Sequence, residues 1–157
     1  METTDMIRFG VLGAARITPK ALIQASTNVS SMQIIRVAAR DEQRAEAFAA
    51  EHDIDAVSAS YQELIEAADV DVVYNPLPMH LHAEWSIKAL RAGKHVLCEK
   101  PFASNAAEAQ EMVDVARTEG LVLGEAFHHF YHPLFRHVID VAQSGAIGDI
   151  SLSLIHI

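Results

Sequence analysis

The sequence predicts an α/β fold built on a doubly wound parallel sheet, and three observations predict it. Short apolar runs alternate with helix-forming stretches along most of the 157 residues, the order that βαβ crossovers require. Glycine or proline marks several changes of element, at Gly13, Pro76, Pro78, Gly93, Gly120 and Gly145. One run, 70–74, is apolar almost without a break, as a strand covered on both faces must be.

Taken in order, an apolar run over 7–12 breaks at Gly13, and Thr18 as N-cap with Pro19 at the first position signals a helix that Asn28 and Ser30 end. Strands are expected over 32–39 and 56–58, with helices rich in good formers over 42–51 and 62–67. After the strand at 70–74, Pro76 and Pro78 mark a loop, since neither fits a central strand. A helix over 81–92 closes on Gly93, followed by a strand over 95–98, a helix over 106–118 ended by Gly120, and a strand over 121–124. About six strands fit two mononucleotide-binding halves. A last helix over 133–144 ends at Gly145. The run 149–157 then alternates polar and apolar, the pattern of a strand with one wet face, and no partner for it follows. Residues 1–148 are therefore expected to form a nucleotide-binding domain, and 149–157 to be the first strand of a second α+β domain that is cut short.

Half of the residues are apolar and 21% are charged, an ordinary globular balance. The net charge of −9 argues against a nucleic-acid surface, which needs clustered Lys and Arg. No apolar stretch is long enough for a membrane span, and the acidic start Met1-Glu2-Thr3-Thr4-Asp5 is unlike a signal peptide, so a cytoplasmic location is expected. Cys98, the single cysteine, is expected to be a buried small hydrophobe rather than a catalytic thiol. Phe48 and Trp85 have helix-face spacing among apolar neighbours and are taken as core.

In open parallel sheets ligands bind beyond the carboxyl ends of the strands. That rule selects 13–17, 39–41, 75–82, 99–101 and 125–133 as one rim. A glycine turn leading into a helix start offers unpaired N–H groups to a diphosphate. The dinucleotide fingerprint has glycine at three places, and here they read Gly13, Ala15 and Thr18. After the second strand, where an acidic residue usually meets the adenosine ribose, stand Ala39, Arg40 and Asp41, with Arg44 one turn on. A guanidinium there suits a 2′-phosphate and favours NADP, while Asp41 keeps NAD as the alternative. The competing role for both arginines is to solvate a helix start. In Cys98-Glu99-Lys100-Pro101-Phe102, proline forces Lys100 to be extended at the rim, where its ammonium can bond a substrate hydroxyl or stabilise oxyanion character, with Glu99 orienting it. Without context, an exposed lysine beside a loop proline is the better explanation of those residues.

Context comes from Gly13-Ala14-Ala15-Arg16-Ile17, Ala39-Arg40-Asp41, the loop from Pro76-Leu77-Pro78 to His82, Gly93-Lys94-His95-Val96-Leu97-Cys98-Glu99-Lys100-Pro101, and Glu125-Ala126-Phe127. Together they closely resemble the amino-terminal domain of the Gfo/Idh/MocA oxidoreductases, most like the branch with dihydrodiol and sugar dehydrogenases. The resemblance covers essentially residues 6 to 150. It implies a Rossmann-type fold in which Gly13, Ala14, Ala15, Arg16 and Ile17 hold the diphosphate. It further implies Ala39, Arg40 and Arg44 at the adenosine phosphate, Leu77, Pro78 and His82 on the nicotinamide side, and Glu99 with Lys100 at the nicotinamide ribose and substrate. Lys100 is the implied catalytic residue. The implied activity moves hydride between NADP and a hydroxyl carbon of a sugar, polyol or cyclic diol, in a homo-oligomer whose second domain supplies further acid/base residues.

Two places depart from that pattern: Met79 stands where relatives usually carry Asn, and Phe130 where this branch tends to carry Arg. His128, His129 and His132 have spacing that a metal site would use, but Pro133 disfavours a helix through them and no acid or thiol joins them, so no metal is expected. His82 is read as positioning the cofactor, with general acid/base work as the alternative. The rival to an oxidoreductase is a non-catalytic NADP(H)-binding module or an inactive fragment.

Overall fold

The computed structural model describes residues 6–152. The chain divides into two compact units, one ending at Ala126 and one beginning at Phe127. That division falls earlier than residue 148, where the sequence placed its boundary.

The first unit holds six parallel strands: β1 (Ile7–Leu12), β2 (Met32–Ala38), β3 (Ala56–Ser58), β4 (Val72–Asn75), β5 (His95–Cys98) and β6 (Leu123–Glu125). Their order is β3-β2-β1-β4-β5-β6, so the direction of winding reverses between β1 and β4. This is the doubly wound Rossmann arrangement with its crevice at the reversal. The connecting helices are α1 (Gln24–Ser26), α2 (Glu42–His52), α3 (Tyr61–Glu66), α4 (His82–Arg91) and α5 (Ala106–Glu119).

Alternation along the strands feeds two cores. Leu12, Ile35, Ala38, Val73, Val96 and Cys98 point to the face covered by α3, α4 and α5, where they meet Leu64, Leu90 and Met112. Val11, Ile34, Val37 and Tyr74 point to the other face, against Leu22, Phe48 and Ala49. Because successive side chains of a strand point to opposite faces, both faces being covered makes the runs continuously apolar. Phe48 is core as expected, whereas Trp85 is only partly buried, edge-on to Tyr61 with ring centroids 5.1 Å apart.

Local signals place the helix starts. Ser60 Oγ accepts the Glu63 N–H at 3.1 Å while Glu63 Oε2 accepts the Ala59 N–H at 3.1 Å, a reciprocal cap that begins α3 at Tyr61. Asn105 and Glu108 cap α5 in the same way, and Asp41 Oδ1 caps α2 by accepting the Arg44 N–H. Lys94, buried, donates to the carbonyls of Ala67 and Val70, both at 2.8 Å, and so ends the α3 connection.

The expected cap at Thr18 is corrected. Thr18 has helical angles (φ −54°, ψ −45°) and no capping bond, whereas an N-cap needs non-helical backbone. Helical bonding has already begun before it, with Thr18 N–H on the Ala15 carbonyl and Ala21 N–H on that of Ile17. Pro19–Ile23 then winds as a π turn into α1.

The second unit contains a 3₁₀ turn, His128–Tyr131, and α6 (Pro133–Gln143). Of the strand expected from 149 onward, residues 149–152 form no strand and residues 153–157 lie outside the described residues. His129 and His132 make local contacts. His132 is extended and its Nδ1 accepts the Leu134 N–H at 3.2 Å, and His129 lies edge-on to Phe127 and Phe135.

Candidate functional site

A cavity of about 710 Å³ opens at the carboxyl ends of β1, β2 and β4, at the reversal of the sheet. Its walls come from Gly13, Ala14 and Ala15 after β1, Ala39, Arg40, Asp41 and Arg44 after β2, Pro76, Leu77 and Pro78 after β4, and Tyr61 at the start of α3. Eight of the residues predicted from sequence meet there: Gly13, Ala14, Ala15, Ala39, Arg40, Arg44, Leu77 and Pro78.

Gly13 explains why the first turn retains one glycine. Its φ is +85°, and a Cβ added there would lie 3.1 Å from Leu77 Cδ2. The backbone is therefore drawn against the opposite wall at the throat of the cavity, with the Gly13 N–H anchored on the Ala38 carbonyl at 2.6 Å. This narrow, alanine- and glycine-lined turn leaves room for the close approach of a diphosphate, and Arg40 and Arg44 stand on the same wall.

Arg44 Nη2 donates to the Ala14 carbonyl at 2.7 Å, locking the turn after β1 to the start of α2. Asp41 Oδ1 is engaged by the Arg44 N–H at 2.8 Å. Arg40 is exposed on the wall of the same cavity.

Arg16 and Ile17 are exposed and Glu99, Lys100 and His82 do not line this cavity. Glu99 is buried behind the rim, its Oε1 accepting the Tyr74 phenol at 2.7 Å and its Oε2 the Lys100 N–H at 3.1 Å. So it holds the Lys100 backbone, and burial with the Glu99 carboxylate pushes the Tyr74 phenol far above its usual range. Lys100 itself is exposed, and its peptide bond to Pro101 is cis. His82 is 1% exposed, with both ring nitrogens on backbone carbonyls, which removes it from direct contact with a bound molecule.

The Cys98 thiol is fully buried and burial pushes it up to about 12, so it is no nucleophile at neutral pH.

Tyr61 and Pro76 belong to the wall but were not singled out as site residues from the sequence. Tyr61 stands between the main cavity and a smaller one of about 320 Å³ that also touches Ser60, Gln62 and Trp85. Burial raises its phenol above the usual value, partly offset by the charge of Arg40 and a bond to its backbone. The S-x-x-E cap at Ser60 was the sequence signal that marks Tyr61 as the first residue of a helix facing the rim.

A dTDP-3,4-didehydro-2,6-dideoxy-α-D-glucose 3-reductase of Saccharopolyspora spinosa is 42% identical over 144 residues, 92% of this chain and 43% of its own length. A D-xylose 1-dehydrogenase (NADP⁺) of Haloferax volcanii is 40% identical over 136 residues, 87% of this chain and 42% of its own. The crystal structure of a 3-ketoreductase from Actinomadura kijaniata in complex with NADP and TDP-benzene superposes with a TM-score of 0.86 at 41% identity, covering 93% of this chain and 45% of that one. The chain thus spans less than half the length of the relatives it matches. Residues 7–127 match the profile described as oxidoreductase family, NAD-binding Rossmann fold, and the chain belongs to that family, the Gfo/Idh/MocA oxidoreductases.

Proposed function

We propose that this chain is the NADP-binding domain of an oxidoreductase that moves hydride between the nicotinamide and a hydroxyl-bearing carbon of a sugar, polyol or cyclic diol. One observation carries the cofactor assignment: Arg40 and Arg44 share the wall of the cavity with the Gly13 turn. Asp41 lines the same wall, with its Oδ1 committed to capping α2 through the Arg44 N–H, so only its other oxygen is left for a ribose hydroxyl of the kind the acid of NAD sites accepts. The relatives named above for NADP and for sugar substrates support the same assignment.

In this proposal the turn of residues 13–17 holds the diphosphate through N–H groups beyond that of Gly13, which is bonded to Ala38, and Arg40 pairs with the 2′-phosphate of the adenosine. Leu77 and Pro78 give the other half an apolar wall that excludes water. When bound, the nicotinamide supplies the hydride acceptor or donor. In reduction the Lys100 ammonium donates a hydrogen bond to the reacting oxygen as negative charge develops and hands it the proton; in oxidation the neutral amine takes that proton up. Glu99 acts one step back, fixing the Lys100 backbone through its N–H.

The test compares cofactors on the Arg40→Ala chain. Losing one charge-assisted bond from an exposed arginine predicts about tenfold weaker NADPH, read from nicotinamide fluorescence, with NADH nearly unchanged. An equal loss for both cofactors refutes the phosphate role of Arg40. No fluorescence response from the unmodified chain at saturation refutes the cofactor assignment.

A further inference from the structure

His82 is the one predicted site residue that the structure encloses completely, and its surroundings say what it does. Nδ1 lies 2.8 Å from the Pro101 carbonyl oxygen and Nε2 lies 2.6 Å from that of Leu77. Both partners are acceptors, so each bond forms by donation from a ring N–H; a neutral imidazole has one such group and the imidazolium has two. The ring therefore spans two loops that no backbone ladder joins, the one after β4 and the one after β5. Both loops have further consequences. Leu77 walls the 710 Å³ cavity and lies against the Gly13 turn, and Pro101 follows Lys100 directly.

The rest of the network keeps this span rigid. Asn75 Nδ2 donates to the His82 carbonyl at 3.2 Å and to Ser86 Oγ at 3.0 Å, and its Oδ1 accepts the Leu77 N–H at 3.3 Å. The Glu99 N–H donates to the Asn75 carbonyl at 3.0 Å. Asn75 thus positions the backbone of both His82 and Leu77, and the imidazole alone reaches across to Pro101. In a doubly wound sheet the adenosine half lies beside β2, so the far half of a dinucleotide points to the loops after β4 and β5. The gap between those loops is the dimension that the His82 ring sets.

We propose that His82 is a positioning residue: its imidazole holds the Leu77 wall and the Lys100 loop at the separation that the nicotinamide half of the cofactor requires. This rests on the cofactor assignment above. It replaces both direct cofactor contact and general acid/base work for His82, because a ring with both nitrogens engaged in the interior does not reach a reacting atom.

The experiment titrates the 157-residue chain with NADPH and, separately, with adenosine 2′,5′-bisphosphate, which carries the adenosine half alone. His82→Ala is expected to weaken NADPH about tenfold while the bisphosphate stays within about twofold, an internal check that the adenosine side is still folded. The two amide variants divide the span. His82→Gln keeps a donor near Nε2, toward Leu77, and is expected to recover most of the NADPH affinity; His82→Asn keeps a donor near Nδ1, toward Pro101, and is expected to recover less. Equal weakening of both ligands in all three variants makes His82 a general fold residue and overturns the proposal, as does NADPH affinity unchanged by alanine. If the unmodified chain binds neither ligand, the cofactor assignment fails first and the proposal with it. Binding of the bisphosphate without NADPH overturns the positioning role alone.

Discussion

Gly13→Ala is the perturbation that tests the throat of the cavity, because two separable costs meet at that position. The first is backbone strain: φ is +85°, and an L-residue held in the left-handed region costs about 1–2 kcal/mol. Alanine also removes freedom from the unfolded chain, returning about 0.4–1 kcal/mol, so strain alone leaves a net loss of about 1 kcal/mol. The second cost is contact, since the new methyl would sit 3.1 Å from Leu77 Cδ2 and that wall must give by a few tenths of an ångström. Gly93→Ala is the matched control: its φ is +80° and an added Cβ meets nothing within 4 Å. Urea melts should show Gly93→Ala losing about 1 kcal/mol. Gly13→Ala should lose more, and it alone should weaken NADPH, because only there is the cavity wall displaced. Adding Leu77→Ala to Gly13→Ala should cost less than the sum of the two single changes, the coupling expected of side chains in contact. Equal melts for the two glycine variants with unaltered NADPH binding would refute the close approach as the reason for glycine at 13.

Two further outcomes follow from groups away from the cavity. Arg8 grips Asp71 through two side-chain bonds of 2.9 and 2.7 Å and a backbone bond of 2.8 Å, and Arg36 holds Asp69 at 2.9 Å, so both carboxyls sit below their usual range chiefly through those hydrogen bonds. A depressed folded value means the unfolded chain binds more protons on acidification. This stability is therefore present above about pH 4 and is lost as pH falls through the folded values, modestly because both pairs are partly exposed. Urea midpoints measured from pH 6 to pH 3 should fall less steeply for Asp71→Asn than for the unmodified chain, and parallel curves would count against the pairing. Cys98, with its thiol pushed up to about 12 by burial, should resist alkylation at pH 8 in the folded chain and react at once in urea; rapid reaction of the folded chain would show that β5 opens readily.

The arrangement at His82 shows where sequence reading stops. The histidine, the prolines around it and Lys100 are all visible as a rim motif, and the family resemblance implies a place for them on the nicotinamide side. Nothing in the spacing of His82 and Pro101 says that a side chain at the head of α4 turns inward to a carbonyl 19 residues on. Likewise the strand at 70–74 reads as apolar, and the phenol of Tyr74 gives no local sign that it meets the Glu99 carboxylate across the β4–β5 pair. The Thr18 cap misled for the opposite reason: a residue type favoured at helix starts stood one turn inside a start set by the backbone at Ala15.

By itself the sequence determined the alternation of strand and helix, the six-strand count, the glycine turn after β1 and the arginines after β2. These rest on periodicity, turn residues and capping, which act between residues a few places apart. The tertiary structure alone decided which of those residues share a cavity, that Tyr61 joins them and that His82 stands behind the wall. Strand order, and the direction in which each side chain leaves its loop, come from packing two cores on opposite faces of the sheet. That packing brings together residues tens of positions apart.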